Sequence, residues 1–298
     1  MRKKATAWLA VAIALLAASC SVPSPFHADL TSATARTTAS AARWWRPTPA
    51  KPLKLGWVLS GPLDVSHPSK LTANVYDIDL DYNPASTVTL LHKLHKKVIC
   101  YIDAGVYENY RSDAWKFPKS VIGAPDDGWN GSYWLDIRQI SVLAPIMKAR
   151  IARCAAKKFD AVEPDEISDY SNDSGFPLTY ADQIKYNTAV ASWVHAAGMG
   201  VGLKGDIEQA KSLQPVFDWS LNEECYMYTE CNDYGGGLRN FTAHGKAVWI
   251  AEYPSEYKAG TFHWAADSAN ARANHWNLAQ YQLGLPVHGY EIYAAGTW

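Results

Sequence analysis

From Lys54 onward, short apolar runs alternate with segments of helical period, the pattern of a parallel sheet wrapped by helices. The runs that predict strands are 56–60, 75–79, 98–103, 160–165, 201–204, 217–223, 247–253 and 289–293. Eight strands suit a closed α/β fold of the (β/α)8 TIM-barrel type, and they fill residues 53–298 without remainder, near the usual barrel length of about 250 residues. A doubly wound open sheet would alternate in the same way, but it does not require the count of eight. A further run at 134–138 reads as a short extra strand or part of a loop. Two connecting helices are explicit. Over 144–158, Met147, Ile151, Cys154 and Lys158 share one face, and Pro145 falls in a first turn that tolerates it. Over 179–197, Thr179 and Asp182 have capping-box spacing, and Tyr186, Val190, Trp193 and Ala197 keep the spacing of a buried stripe that Gly198 can end.

The segment before the barrel is patterned differently. Arg2, Lys3 and Lys4 precede an apolar run at 5–18, shorter than the roughly 20 residues a membrane span needs, so 1–20 reads as an export signal. The run closes on Ala17-Ala18-Ser19-Cys20, which resembles a bacterial lipoprotein signal whose Cys20 becomes the lipidated first residue. Ala17 stands where Leu is usual, which leaves plain signal cleavage as the alternative. Residues 21–52, rich in Ser, Thr, Ala and Pro, read as a flexible linker. The expected location is outside the cell, either secreted or anchored to the outer face of the cell membrane. In that oxidising setting Cys225 and Cys231 could close a small loop. Cys100 and Cys154 sit in apolar surroundings, where buried free thiols are the plain reading and a bond between them is the open alternative.

Composition narrows the function classes. With 48% hydrophobic and 19% charged residues the chain can build a full core, and a net charge of −1 argues against nucleic acid as a partner. The 13 Trp and 17 Tyr against 7 Phe favour rings with a polar edge, as in grooves that are partly wet and partly apolar. A Trp-rich core is the equally simple reading of any single Trp.

In a barrel of this type, side chains at the C-terminal ends of the strands face the active site. Here they are Asp77, Asp79, Asp103, Glu163, Asp165, Lys204 with Asp206, Glu223, Glu224 and Glu252. A barrel core asks for Val, Ile and Leu, so these acids point to metal binding or to paired-carboxylate chemistry. Surface acids paired with Lys and Arg are the plain alternative. Residues 77–83 alternate acids as a calcium loop does, yet Tyr82 stands where that loop needs Gly and Val88 where it needs Glu. Zinc, nucleotide and serine-hydrolase motifs are missing too, so neither metal nor cofactor is expected. Glycosidic cleavage fits better. It needs one carboxyl to protonate the leaving oxygen and another to stabilise or attack the oxocarbenium-like carbon. Asp165 ends the fourth predicted strand and Glu223 the sixth, so both would point into one mouth.

The stretch 98–105, then 134–138 and 159–165 with its Glu163-Pro164-Asp165, resembles glycoside hydrolase family 114, the endo-α-1,4-polygalactosaminidases. So do Tyr186-Asn187, the run 200–204, Asn222-Glu223-Glu224-Cys225 followed by Tyr228, Glu230 and Cys231, and 245–248 leading to Glu252-Tyr253. The motifs keep their order from about Trp57 to Tyr253. The resemblance implies an acidic barrel that cuts α-1,4-linked galactosamine-containing polysaccharide internally. It casts Asp165 as nucleophile or charge stabiliser and Glu223 as acid/base, with the reverse assignment open, and makes Cys225–Cys231 a disulfide beside Glu223. Such a polymer is cationic, and Asp77, Asp79, Asp103, Glu163, Glu224 and Glu252 would attract it, with Lys204 in the same mouth and Trp57 and Tyr226 stacking on sugar faces. Two positions depart from the family pattern: Glu166 replaces the usual Asn, and Gly205 interrupts Lys-Asn-Asp. The expectation is a monomer without cofactor. The alternatives are an inactive carbohydrate-binding surface lipoprotein of the same fold, or a glycosidase on another α-linked polymer.

Overall fold

A computed structural model describes residues 44–289 and 291–296. The export signal, Cys20 and the linker up to residue 43 lie outside the described residues. Among the described residues twelve strands form two sheets. Strands β1 (Leu55–Val58), β2 (Val75–Asp79) and β3 (Lys97–Asp103) begin the barrel; β4 (Val106–Glu108), β5 (Ile122–Pro125) and β6 (Ser132–Leu135) form a separate antiparallel sheet. Strands β7 (Ala161–Asp165), β8 (Gly200–Lys204), β9 (Trp219–Glu223), β10 (Val248–Glu252), β11 (Asn277–Tyr281) and β12 (Glu291–Tyr293) complete the barrel in the order β1-β2-β3-β7-β8-β9-β10-β11-β12. All neighbours are parallel except β11 and β12.

The eighth parallel strand is therefore β11, and the predicted eighth run instead contributes the short antiparallel β12. The sequence Asn277-Leu278-Ala279-Gln280-Tyr281 lacks the unbroken apolar run of its neighbours. Asn277 does structural work in place of packing: its side chain accepts from the Leu53 N–H (2.9 Å) and donates to the Val248 carbonyl (3.0 Å). The seam between β12 and β1 is bridged by side chains. The Trp57 N–H donates to Glu291 at 3.2 Å, and the Tyr281 and Tyr293 hydroxyls both donate to the Leu55 carbonyl at 2.8 Å. The run 134–138 is a strand only in its first two residues, within β6.

Among the described residues six α-helices connect the strands: α1 (Ala85–Lys93), α2 (Ile140–Ala156), α3 (Tyr180–Ala196), α4 (Ala210–Leu213), α5 (Gly237–Ala243) and α6 (Trp264–Ala273). The Thr179–Asp182 capping box is present at the start of α3. Its buried face holds Gln183, Tyr186, Asn187, Val190, Ala191 and Val194, whereas Trp193 is half-buried and Ala197 exposed. The stripe turns toward the barrel because Gln183 and Asn187 have partners there. Asn187 donates to the Ile167 carbonyl, and Gln183 donates to Asn187, both at 2.9 Å. Lys158 lies beyond the end of α2 in a left-handed turn, exposed; the buried face of that helix carries Arg150 with Met147, Ile151 and Cys154.

Cys100 and Cys154 are not free thiols. Strand β3 and helix α2 bring their Cα atoms to 6.0 Å and a disulfide joins them; a second joins Cys225 to Cys231 after β9. Two disulfides fit an oxidising compartment. Replacing Cys100 and Cys154 by Ser should lower unfolding free energy by about 3–4 kcal/mol, since the bond closes a long loop. Urea titration of the double variant checks this, with an unchanged midpoint as the contrary result.

The end of the predicted linker is fastened to the base of the barrel. Trp44 stacks on His195 with ring centroids 4.1 Å apart, Arg46 pairs with Asp218 at 2.7 Å, and the Ala247 N–H donates to the Pro47 carbonyl. Packed structure thus begins before residue 53. Among the described residues no helix is long and apolar enough to cross a membrane.

Candidate active site

Alternate residues of a strand point to the same side. Along β2, β3, β7, β8 and β9 this sends Asp77 and Asp79, Tyr101 and Asp103, Glu163 and Asp165, Lys204, and Glu223 toward the barrel axis. Lower in the barrel, Leu55, Ile99, Ala161, Trp219 and Leu221 form an apolar plug. The polar side chains lie above it, which fixes the mouth at the C-terminal ends of the strands.

Asp165 and Glu223 meet through Lys204. The Lys204 ammonium lies 2.9 Å from Asp165 Oδ1 and also contacts Glu223 Oε2. Asp165 further accepts from the Glu166 N–H at 2.8 Å and from the Tyr101 hydroxyl at 2.9 Å, and Glu223 accepts from the Tyr253 hydroxyl. Burial by itself lowers the Lys204 pKa, but Asp165, Glu223, Glu163 and Glu166 together hold it well above the ordinary lysine value, so the ammonium stays charged. The backbone is shaped for this cluster. Any side chain at Gly105 would stand 1.5 Å from the Glu166 carbonyl, and the N–H groups of Ala104 and Gly105 donate to the Asp165 carbonyl at 3.0 and 3.2 Å. Glu166, Asp206 and Glu224, at or near the ends of three barrel strands, all have left-handed φ (53°, 44° and 58°). Such strain gathers at functional sites, where the surrounding contacts enforce it.

Asp77 and Glu163 lie wholly buried beneath the pair. Burial pushes Asp77 up to about 7 and Glu163 well above the carboxylate range. Neither Asp77 oxygen meets a conventional donor, and Glu163 receives only the Trp57 indole N–H at 3.3 Å. A single proton shared between the two carboxyls supplies the bond each lacks. Both thus serve as floor, out of a substrate's reach. Asp79 is likewise committed, because Arg111 binds it at 2.6 Å, Glu108 at 2.6 Å and Asp103 at 3.4 Å. Burial, then Glu108, raises Asp103 well above its usual range. Asp103 sits beside the Arg111–Glu108 ion pair and accepts from the Tyr101 hydroxyl at 3.1 Å.

Glu252 and Tyr226 do not reach the mouth. The Glu252 carboxylate accepts from the Tyr226 N–H at 3.0 Å and from the Tyr257 hydroxyl, and the Tyr226 hydroxyl donates to Asn270 at 2.9 Å. Glu252 ties the Cys225–Cys231 loop to β10, and the Tyr226 hydroxyl ties it to α6. Burial, then Glu223, raises Glu224 to about 7; its N–H donates to the Ala251 carbonyl, and it stands beside the mouth without lining it. Trp57, Asp103 and Lys204 do line it. The sulfurs of Cys225 and Cys231 and the Glu252 carboxylate are the one close group of metal-type donors among the described residues, and the disulfide removes both thiolates.

Two cavities of about 310 Å³ each meet over Asp165, Glu166, Lys204 and Glu223. One extends past Asp103, Arg111 and Trp129, the other past Asp206, Asn222 and Tyr228. A cavity of about 420 Å³ at the β1–β12 seam reaches neither Asp165 nor Glu223. Sequence reasoning missed Tyr101, Arg111, Tyr253 and Trp129. Tyr101 was within reach, being inward by strand parity; Arg111 sits in a loop that only the folded chain carries to the mouth.

The model for glycoside-hydrolase family GH114 matches residues 34–297. Among solved structures, Aspergillus fumigatus Ega3 in complex with galactosamine is similar at 32% identity over 83% of this chain and 96% of that one, with a TM-score of 0.73. The glycoside hydrolase domain of PelA from Pseudomonas aeruginosa has the same fold, with a TM-score of 0.60 at 12% identity over 80% of this chain and 98% of that one. No curated protein sequence matches the chain.

Proposed function

The chain belongs to glycoside-hydrolase family GH114, and on that premise we propose that it cuts α-1,4-linked, galactosamine-containing polysaccharide internally, using Asp165 and Glu223. The observation that carries the proposal is the single Lys204 ammonium in contact with both carboxylates where two cavities meet. A groove that continues on both sides lets a chain lie across the pair without presenting an end. The acidic mouth suits a cationic polymer, and similarity to a protein solved in complex with galactosamine supports the choice of sugar.

Asp165 attacks the anomeric carbon as Glu223 gives its proton to the departing glycosidic oxygen. Glu223 then takes a proton from water, which displaces Asp165 and releases the sugar. Asp165 is the more enclosed side chain (11% exposed against 31%) and three donors fix it, as suits a nucleophile. Glu223 lies on the more open side, where leaving group and water come and go. Lys204 contributes by position: on protonation of Glu223 its charge stays with Asp165.

One ammonium touches both carboxylates, so their nearest oxygens are within two hydrogen-bond lengths, roughly 6 Å. That fits the separation of about 5–5.5 Å for retaining enzymes better than the about 6.5–9.5 Å for inverting ones. Proton NMR of a fresh digest should show the α-anomer first, and early β-anomer would contradict the scheme. Reducing ends should appear from deacetylated galactosaminan and not from a neutral α-glucan. Preference for the neutral polymer would favour a glycosidase of different specificity.

Export belongs to the same proposal. The signal-like residues 1–20 would direct it and Cys20 would carry the lipid, with the two disulfides as support.

A further inference from the structure

The two cavities that meet over the carboxylate pair differ in charge. On one side Arg111 engages Asp79, Asp103 and Glu108, and Tyr82, Tyr110 and Trp129 expose their rings along the wall. That arm offers aromatic faces, and Arg111 offsets part of the charge of Asp103, Glu108 and Asp126. The other arm is walled by Asp206, Glu208, Asn222 and Glu230, with Lys204 as its one lining cation. Asp206, Glu208 and Glu230 take part in no ion pair among the described residues.

Two acceptors in this second wall are bare although buried. Among the described residues Asp206 Oδ1 and Asn222 Oδ1 have no hydrogen-bond partner, and their residues are 7% and 4% exposed. The Asp206 carboxyl is not loose, since Asn187 Nδ2 donates to its other oxygen at 2.9 Å, and burial pushes it up to about 8, so a neighbouring ammonium is what would hold it ionised. A buried acceptor without a donor is costly, and native structures supply one from protein, water or ligand. A sugar ammonium brings three donors and a positive charge to such a wall, whereas an acetamido group brings one N–H and no charge. The acetamido methyl suits the other arm, where exposed rings give it an apolar face.

Resting on the hydrolase reading above, we propose that the two arms select opposite acetylation states. The Asp206–Asn222 arm prefers galactosamine with a free amine and the Arg111–Trp129 arm prefers an N-acetylated residue. Cleavage of a mixed polymer therefore concentrates where the two kinds of sugar adjoin, while a fully deacetylated polymer is still cut, more slowly.

The test is digestion of an α-1,4-galactosaminan of about half acetylation, with both new ends of each product read by tandem mass spectrometry. Free amine should be enriched about tenfold at one new end, the effect of one charge-assisted hydrogen bond, and acetyl at the other. Asp206→Asn should erase most of the free-amine enrichment at its end and leave the acetylated end selective. Because Asp206 also serves the Asn187 network, the surface pair Glu208→Gln with Glu230→Gln is measured separately, and it should weaken the same end in the same direction. New ends that follow bulk composition, or two ends with one preference, would overturn the inference while leaving the hydrolase reading in place. If no galactosaminan is cut at all, the hydrolase reading fails and takes this inference with it.

Discussion

Replacing Asp165 by Asn, or Glu223 by Gln, should reduce the release of reducing ends from deacetylated galactosaminan by about 10³-fold or more, with the far-UV circular dichroism spectrum unchanged. Each change removes one charge or one proton from the pair and preserves shape. The hydrogen bonds from Tyr101 to Asp165 and from Tyr253 to Glu223 can still form to an amide oxygen. The two variants should part company on an activated substrate. An aryl α-galactosaminide with an acidic phenol leaves without protonation, so Glu223→Gln should recover much of its first-step rate there. Asp165→Asn should not, because the attacking group itself is gone. Equal losses on both substrates would reverse or dissolve the assignment of roles, and wild-type rates in either variant would remove that residue from the chemistry.

Arg150→Ala should destabilise the fold by about 3–5 kcal/mol. Arg150 is 3% exposed on α2. Its guanidinium makes two hydrogen bonds of 2.9 Å to Asp113 and one of 2.8 Å to the Asp103 carbonyl. Truncation would leave the buried Asp113 carboxylate and a buried carbonyl without partners, which costs more than the bonds themselves contribute. The loop so held carries Tyr110 and Arg111, so affinity for polymer should fall together with stability. Arg138 provides the comparison. It also grips an aspartate, Asp136, with two short bonds, but it is 34% exposed and Asp136 keeps the bond of 3.3 Å from the backbone N–H of residue 138, so Arg138→Ala should cost less than Arg150→Ala. Urea titration of both variants decides the matter, and similar midpoints would contradict the role given to Arg150.

Much of this architecture is legible in the chain because buried parallel strands write themselves as apolar runs. Seven of the eight parallel strands follow that rule, and Asp165 and Glu223 emerge as the acids closing two of them. Strand β11 escapes the rule because Asn277 and Gln280 break its apolar run, and the Asn277 amide supplies hydrogen bonds where its neighbours supply packing. The set of rim acids is where local reading reaches its limit. Strand parity points Asp77, Asp79 and Glu163 inward, but depth and partners are properties of the closed barrel. Only there do Asp77 and Glu163 become a shared-proton floor and does Arg111 arrive from a distant loop to occupy Asp79. Cys100 and Cys154 teach the same point: each sits in apolar sequence, as a free buried thiol would, and the packing of α2 on β3 makes them a bond.

The central claim is that Asp165 and Glu223 act on one glycosidic linkage in a groove open at both ends. Mass spectrometry of deacetylated galactosaminan, incubated in parallel with the wild-type protein and with each carboxamide variant, tests it most directly. The account predicts a ladder of internal oligosaccharides from the wild type and intact polymer from both variants; a wild type that releases only monomer, or variants that yield the same ladder, would contradict it.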